Sequence, residues 1–152
     1  MKVSNSFHNI RQANTEDIPF LLDCSKALLR DSSYSYLKFD PVRTKTHFMF
    51  YMERQPEDAI VLLSLDKDGD PVGVIGGEAK PHHFSDVKMA QEYILWGKDS
   101  FKLLRAFEEW AKWVKCDLMC IGTAGTEEAP RLKKVYEKLG WVNRESSFIK
   151  EI

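Results

Sequence analysis

The sequence predicts one α/β (α+β) domain, a mixed sheet with helices on both faces. Three observations predict it. Strand-like and helix-like stretches follow one another in the order β-α-α-β-β-β-α-β-α-β. Residues 59–65, Ala-Ile-Val-Leu-Leu-Ser-Leu, are apolar on both alternating faces, as in a strand covered by helices on each side. Residues 92–114 read as a strand, a glycine turn and a long amphipathic helix, and the rest of the chain builds a platform around them.

Residues 8–13 form a short strand. Asn14 or Thr15 then caps a helix, with Glu16 and Asp17 at its positive end. Ile18, Leu21, Leu22, Ser25, Leu28 and Leu29 carry helical spacing and place that helix at about 17–30. Residues 31–36 are a polar, aromatic loop. A second helix begins after Pro41, with Val42, Thr46, Met49, Phe50 and Met52 on its inner face, and stops by Gln55-Pro56. The Asp-Gly signal in residues 66–70 is a hairpin turn. The strand at 59–65 therefore returns as 71–80, which contains Gly76 and Gly77.

After a loop at 81–86 comes the organising strand, Glu92-Tyr93-Ile94-Leu95-Trp96, rich in β-branched and aromatic residues. Gly97-Lys98-Asp99-Ser100 punctuates it, and Asp99 or Ser100 caps the next helix. Phe101, Leu103, Leu104, Phe107, Trp110, Ala111 and Val114 share one face of that helix; Lys102, Arg105, Glu108, Glu109 and Lys112 fall on the other. A strand that turns through glycine into a helix leaves free amides at the helix N-terminus, which suits an anion. Residues 118–123 are a buried strand and 124–129 a loop. The last helix starts at Pro130 and ends at Leu139-Gly140, where glycine supplies the left-handed cap. One or two strands close the chain over 141–152.

Composition narrows the function classes. Lysine and arginine total 22 against 23 acids, and that balance argues against general nucleic-acid binding, which needs a basic field. No apolar run approaches the ~20 residues needed to cross a bilayer. Residues 1–7 lack a signal-peptide core, so an intracellular, cytoplasmic protein without a membrane partner is expected. Cys24, Cys116 and Cys120 are scattered and read as small hydrophobes rather than a disulfide framework or a zinc site. No metal is expected.

The element order and several local motifs resemble the GNAT-type N-acetyltransferases over nearly the whole chain. The opening Ile10-Arg11-Gln12-Ala13 with Glu16-Asp17-Ile18, the hairpin around Pro71-Val72-Gly73-Val74-Ile75, and the helix Leu103–Lys112 each match in place. Most specific is Val135-Tyr136-Glu137-Lys138-Leu139-Gly140-Trp141, which is similar to the family's late helix. The resemblance implies a mostly antiparallel sheet and transfer of an acetyl group from acetyl-CoA, as co-substrate, directly to a primary amine. The amine belongs to a small molecule or a protein. Tyr93, Ile94 and Leu95 would then offer backbone to pantetheine, Gly97, Lys98, Asp99 and Ser100 would hold the diphosphate, and Tyr136 would protonate the departing thiolate.

The chain also departs from the family pattern. The coenzyme loop R/Q-x-x-G-x-G/A falls on Leu95, Lys98 and Ser100, and the asparagine commonly seven residues before the tyrosine is Ala129. Such a glycine-poor loop resembles divergent members encoded by bacteriophages, which would place the protein in a host cytoplasm or a virion. A second reading follows: a GNAT-fold interaction or structural module that has lost coenzyme binding and works through a protein partner or a homo-oligomer. A third is a noncatalytic acyl-CoA sensor.

Glu92, at the start of the strand that splays in the family, is a candidate base or a solvated edge glutamate, and Glu78 competes for the role. Tyr136 is a general acid or a packing tyrosine. Adjacent His82 and His83 point to opposite faces of an extended chain and do not readily chelate one ion. Lys98 at a helix N-terminus favours an anion there. Tyr34, Tyr36, Phe39 and Phe84 line an acceptor pocket, an interface or the core edge, and Trp113 lies off the helix's apolar stripe.

Overall fold

The computed structural model describes residues 7–145, 147–150 and 152. Five strands form one sheet in chain order: β1 (Ile10–Gln12), β2 (Ala59–Leu65), β3 (Pro71–Pro81), β4 (Lys88–Gly97) and β5 (Leu118–Cys120). Neighbours are antiparallel except β4 and β5, which run parallel. The sheet is mixed and mostly antiparallel, as the sequence predicts. The helices are α1 (Ile18–Asp31), α2 (Pro41–Arg54), α3 (Ser100–Trp113) and α4 (Ala129–Lys138).

The double-faced pattern of β2 explains the layers. Its residues from Ala59 to Ser64 are buried, and alternate side chains enter two cores. Ile60 and Leu62 join Ile75, Leu103, Phe107 and Trp110 under α3. Val61 and Leu63 join Leu21, Phe48, Tyr51, Val74 and Ile94 under α1 and α2. Each such aliphatic or aromatic side chain contributes about 1.5–3 kcal/mol by leaving water. Trp110 and Phe107 are fully buried, and the Trp110 indole N–H donates to the Pro56 carbonyl at 2.6 Å, so burial leaves no orphan donor.

The first helix is entered through a 3₁₀ turn at Thr15–Asp17. Asn14, rather than Thr15, is the cap: its side-chain oxygen accepts the Glu16 N–H at 2.8 Å, and Asp17 accepts the Asn14 N–H at 2.8 Å. Arg11 clamps Asp17 with two bonds of 2.7 and 2.8 Å. Burial alone would raise the Asp17 carboxyl; the larger effect of the Arg11 hydrogen bonds holds it below the usual range.

Three expectations are corrected. In α2 the inner face is Phe48 and Tyr51, with Met49 and Met52 half-buried, whereas Val42 and Phe50 are exposed. Two large aromatics three residues apart bury more surface than the Val42–Phe50 stripe, and they set the rotation of the helix. The segment from 118 is a strand for three residues only, and Leu118 is 53% exposed, because β5 lies at the sheet's edge. Residues 141–145, 147–150 and 152 form no strand. The three-residue edge of β5 offers little to pair with, and Phe148 and Val142 stay exposed. Residues 146 and 151 of the expected strands, and residues 1–6 of the expected leaderless start, lie outside the described residues.

Elsewhere, β4 begins at Lys88, four residues before its expected start at Glu92, and the other boundaries agree within two residues. Gly140, just past α4, has φ 88°, the left-handed conformation expected of it. All three cysteines are free; Cys24 is buried, and Cys116 and Cys120 are partly buried. Among the described residues no group of histidine, cysteine and carboxylate side chains is placed to hold a metal ion. No helix is long and apolar enough to cross a membrane.

Candidate functional site

The site grows out of two irregularities in β4. Register passes from Gly76 opposite Ile94 to Gly77 opposite Glu92, so Tyr93 is an extra residue, a β-bulge. Gly77 permits it: a Cβ there would meet the Phe107 ring at 2.7 Å, so only glycine lets α3 lie this close to the bulged pair. On its other edge β4 pairs with β5 only at Met89, Ala90 and Gln91. Beyond Gln91 the two parallel strands part, and among the described residues the Glu92–Gly97 edge has no strand beside it on that side. The result is a wedge with an open backbone edge, able to accept an extended ligand as a further strand.

Glu92 stands at the apex of the wedge. Its Oε2 accepts the Gly122 N–H, from the loop after β5, at 3.1 Å. Burial pushes the carboxyl up to about 7, and the Gly122 hydrogen bond offsets only part of that. Tyr136, 9% exposed in α4, belongs to the same core face and lies near enough to Glu92 to feel its charge. Burial first, and the Glu92 charge second, hold its phenol above the usual range. The structure thus brings these two expected residues to one face of the wedge: a carboxyl that titrates near neutrality and a phenol that keeps its proton.

Tyr93 turns the other way. The bulge sends it toward α2, where its ring stacks on Tyr51 at 5.5 Å and its hydroxyl donates to Glu78 Oε1 at 2.5 Å. Arg54 donates to Glu78 Oε2 at 3.1 Å, and Lys80 lies 3.5 Å from Oε1. Burial raises the Glu78 carboxyl, but the hydrogen bonds from Tyr93 and Arg54 outweigh it and hold the group below its usual range. Glu78 is an ionised, fully engaged carboxylate, while Glu92 has an oxygen to spare. Of the two carboxyls, Glu78 has both oxygens hydrogen-bonded and is held low, whereas Glu92 has one oxygen without a hydrogen bond among the described residues and is pushed up.

The far end of the open edge is the turn at 97–100. Five residues of strand separate it from Glu92, about 16 Å. Gly97 has φ 91° and Asp99, at the N-cap of α3, has φ 59°. Neither Asp99 nor Ser100 caps the helix with its side chain: Ser100 Oγ donates to the Gly97 carbonyl at 3.2 Å. The Lys98 peptide is folded inward, its N–H on Val72 O at 2.9 Å and its carbonyl on Ser64 Oγ at 3.1 Å. The first helical bond runs from Leu103 N–H to Asp99 O, which leaves the amides of Asp99, Ser100, Phe101 and Lys102 at the helix mouth. The Asp99 carboxylate is drawn aside by Asn9 at 3.1 Å and Lys102 at 3.4 Å.

The remaining expected residues stand apart. His82 and His83 lie in the β3–β4 connection; His82 Nδ1 accepts the Phe84 N–H at 3.3 Å, and Phe84 is 94% exposed. Tyr34, Tyr36 and Trp113 are exposed and contribute to neither face of the wedge. Sequence reasoning missed Gly122, Asn9, Arg54, His47 and Tyr51. Only Lys80 carried a signal, since its i, i+2 spacing from Glu78 puts both on one strand face.

No protein-family model and no curated protein matches this chain. Solved structures do. Glucosamine-6-phosphate N-acetyltransferase from Arabidopsis thaliana superposes with a TM-score of 0.69 at 12% identity, covering 93% of this chain and 96% of its own. An acetyltransferase from Trypanosoma brucei gives 0.65 at 13%, over 94% and 98%. A transcriptional regulator from Bacillus halodurans C-125 gives 0.71 at 16%, also over 94% and 98%. They come from a plant, a trypanosome and a bacterium, so the likeness of the loop to phage-encoded members has no counterpart among these three. At such identities it is the architecture that is shared. With its bulged β4, its parallel wedge against β5 and its late helix, the chain has the fold of the GNAT-type N-acetyltransferases.

Proposed function

We propose that this chain is an acyltransferase that moves an acetyl group from acetyl-CoA directly to a primary amine. The observation that carries the reading is the Glu92 carboxyl at the apex of the wedge, titrating near 7 on the same face as a protonated Tyr136. Acetyl-CoA, when bound, supplies the acetyl group as a reactive thioester. The open edge of β4 fits the pantetheine arm, and the four amides at the mouth of α3 fit the diphosphate, with Lys98 and Lys102 adding positive charge.

In this reading the chain's own groups manage two protons. Glu92, ionised, takes one from the attacking amine nitrogen through the oxygen that Gly122 leaves free. Gly122 keeps the carboxylate aimed into the wedge. Tyr136 holds a proton at its hydroxyl and gives it to the sulfur as the C–S bond breaks. Glu92 is left neutral and Tyr136 ionised, and solvent resets both. The test is acetyl transfer to a panel of amines by the wild type and by Glu92→Gln. The variant is expected to turn over about 10²-fold more slowly; equal rates would remove Glu92 from the reaction.

One observation favours a second reading. The Lys98 N–H is spent inside the sheet and a carboxylate, Asp99, stands at the helix mouth. An interaction module without coenzyme would need nothing from this turn, and it would bind no acetyl-CoA.

A further inference from the structure

We propose that Ser33 and Gly125 act together as positioning residues for Glu92, by clasping the α1–α2 connection to the loop that presents the Gly122 amide. The inference rests on the acetyl-transfer reading, in which Glu92 takes the proton. The clasp is a backbone bond: the Ser33 N–H donates to the Ala124 carbonyl at 3.0 Å, across 91 positions of sequence. The Ser33 hydroxyl reaches the same oxygen at 3.4 Å. Gly125 makes the approach possible, since a Cβ there would lie 2.7 Å from Ser33 Oγ and 2.8 Å from its Cβ.

Both sides of the clasp are anchored. On the helix side Ser32 is buried; its hydroxyl donates to the Leu29 carbonyl at 2.9 Å and accepts the Tyr34 N–H at 3.1 Å. On the loop side the Thr126 N–H donates to the Thr123 carbonyl at 3.3 Å and closes a turn. Its central residues, Ala124 and Gly125, have φ 52° and 63°. An alanine keeps that backbone only where its surroundings hold it, and Ser33 supplies the contact from outside. Gly122 lies two residues before Ala124 and donates its N–H to Glu92 Oε2. The tight turn carries the position of Ala124 to Gly122, so the end of α1 sets where that amide meets the carboxyl.

Releasing the clasp changes Glu92 in one direction. The loop both stands against the carboxyl and donates to it. Burial is the larger effect, so losing both takes the group down toward its ordinary 4.5. The groups around it do not compete. Tyr136 of α4 and Cys120 of β5 feel its charge, and burial holds both protonated near neutrality. From β3 Glu92 faces Gly77, against which α3 sets Phe107. Glu78, with its partners Arg54 and Lys80, belongs to the opposite face of the sheet.

The experiment measures the melting-temperature gap that Glu92→Gln opens between pH 4 and 8, in four backgrounds of the full chain. The first is the wild type. The second, Ser33→Pro, deletes the donor and keeps the local turn: the Ser35 N–H donates to the Ser32 carbonyl at 3.2 Å, so Ser33 holds a turn position that proline fits. The third, Gly125→Ala, drives a Cβ into Ser33. The fourth adds Ser33→Gly to Gly125→Ala, which makes room again and retains the N–H. Ser33→Pro and Gly125→Ala should each shrink the gap at pH 8 by about half or more, and the double variant should restore it. Comparison within one background cancels whatever either change does to the fold at large. Under the transferase reading, the acid limb of the kcat/KM profile moves to lower pH in the same two variants. A gap of full size in both single variants, a larger one, or no recovery in the double variant would overturn the proposal. A wild type with no gap would instead remove the raised carboxyl itself, and the transferase reading with it.

Discussion

Replacing Glu92 by glutamine should make the protein more stable and less active at once. The carboxyl's pKa moves from an ordinary 4.5 to about 7 on folding. Below pH 4.5 it is neutral in both states and costs nothing. Between 4.5 and 7 the unfolded chain ionises it and the folded chain resists, so stability falls as pH rises; above 7 the loss is complete. At about 1.36 kcal/mol per pH unit the ceiling is about 3 kcal/mol. Solvent reaching the open wedge lowers this to about 1–2 kcal/mol. Glutamine keeps an oxygen for the Gly122 N–H and never ionises. Glu92→Gln should therefore melt about 2–8 °C higher than the wild type at pH 8, at about 2–4 °C per kcal/mol for a chain of this size. The two should converge near pH 4.5. Thermal unfolding across pH 4–8 checks it. A variant equally or less stable at pH 8, or a difference independent of pH, would refute the assignment of a buried, raised carboxyl.

Three further outcomes are expected. Gly77→Ala should destabilise the fold by about 1–3 kcal/mol in urea, since its Cβ would press on Phe107 and the backbone of the bulge; an unchanged midpoint would mean that the bulge does not depend on this contact. Asp99→Gly removes both a left-handed non-glycine residue and a carboxylate from the mouth of α3, so acetyl-CoA affinity should rise several-fold. Weaker binding would place the diphosphate elsewhere. Tyr136→Phe should keep the melting temperature within about 2 °C and slow turnover about 10²-fold, most visibly at a pH where Glu92 is ionised.

How much of this was legible in the sequence depends on what fixes each feature. Local periodicity set α1, β2, β3 and α3, because each buries a stripe whose spacing matches its own geometry. It misjudged α2, where the choice between two apolar stripes was made by Phe48 and Tyr51 against the sheet. The last segment was misread because strand-like residues need a partner edge, and edges are tertiary facts. At the site, Glu92 and Tyr136 were suggested by resemblance, but their shared face was not legible. That face follows from the Tyr93 bulge, which shifts the alternation of β4 by one residue and sends Tyr93 to Glu78. Asn9 reaches Asp99 across ninety positions of sequence, and no local pattern encodes such a bond.

The most direct test of the central claim is a calorimetric titration of the protein with acetyl-CoA, with desulfo-CoA as the control. One-to-one binding at micromolar concentration, accompanied by a raised melting temperature, is the predicted result: the Asp99–Lys102 amides and the β4 edge then hold the coenzyme. No heat and an unchanged melting temperature would contradict it and leave the fold as an interaction module.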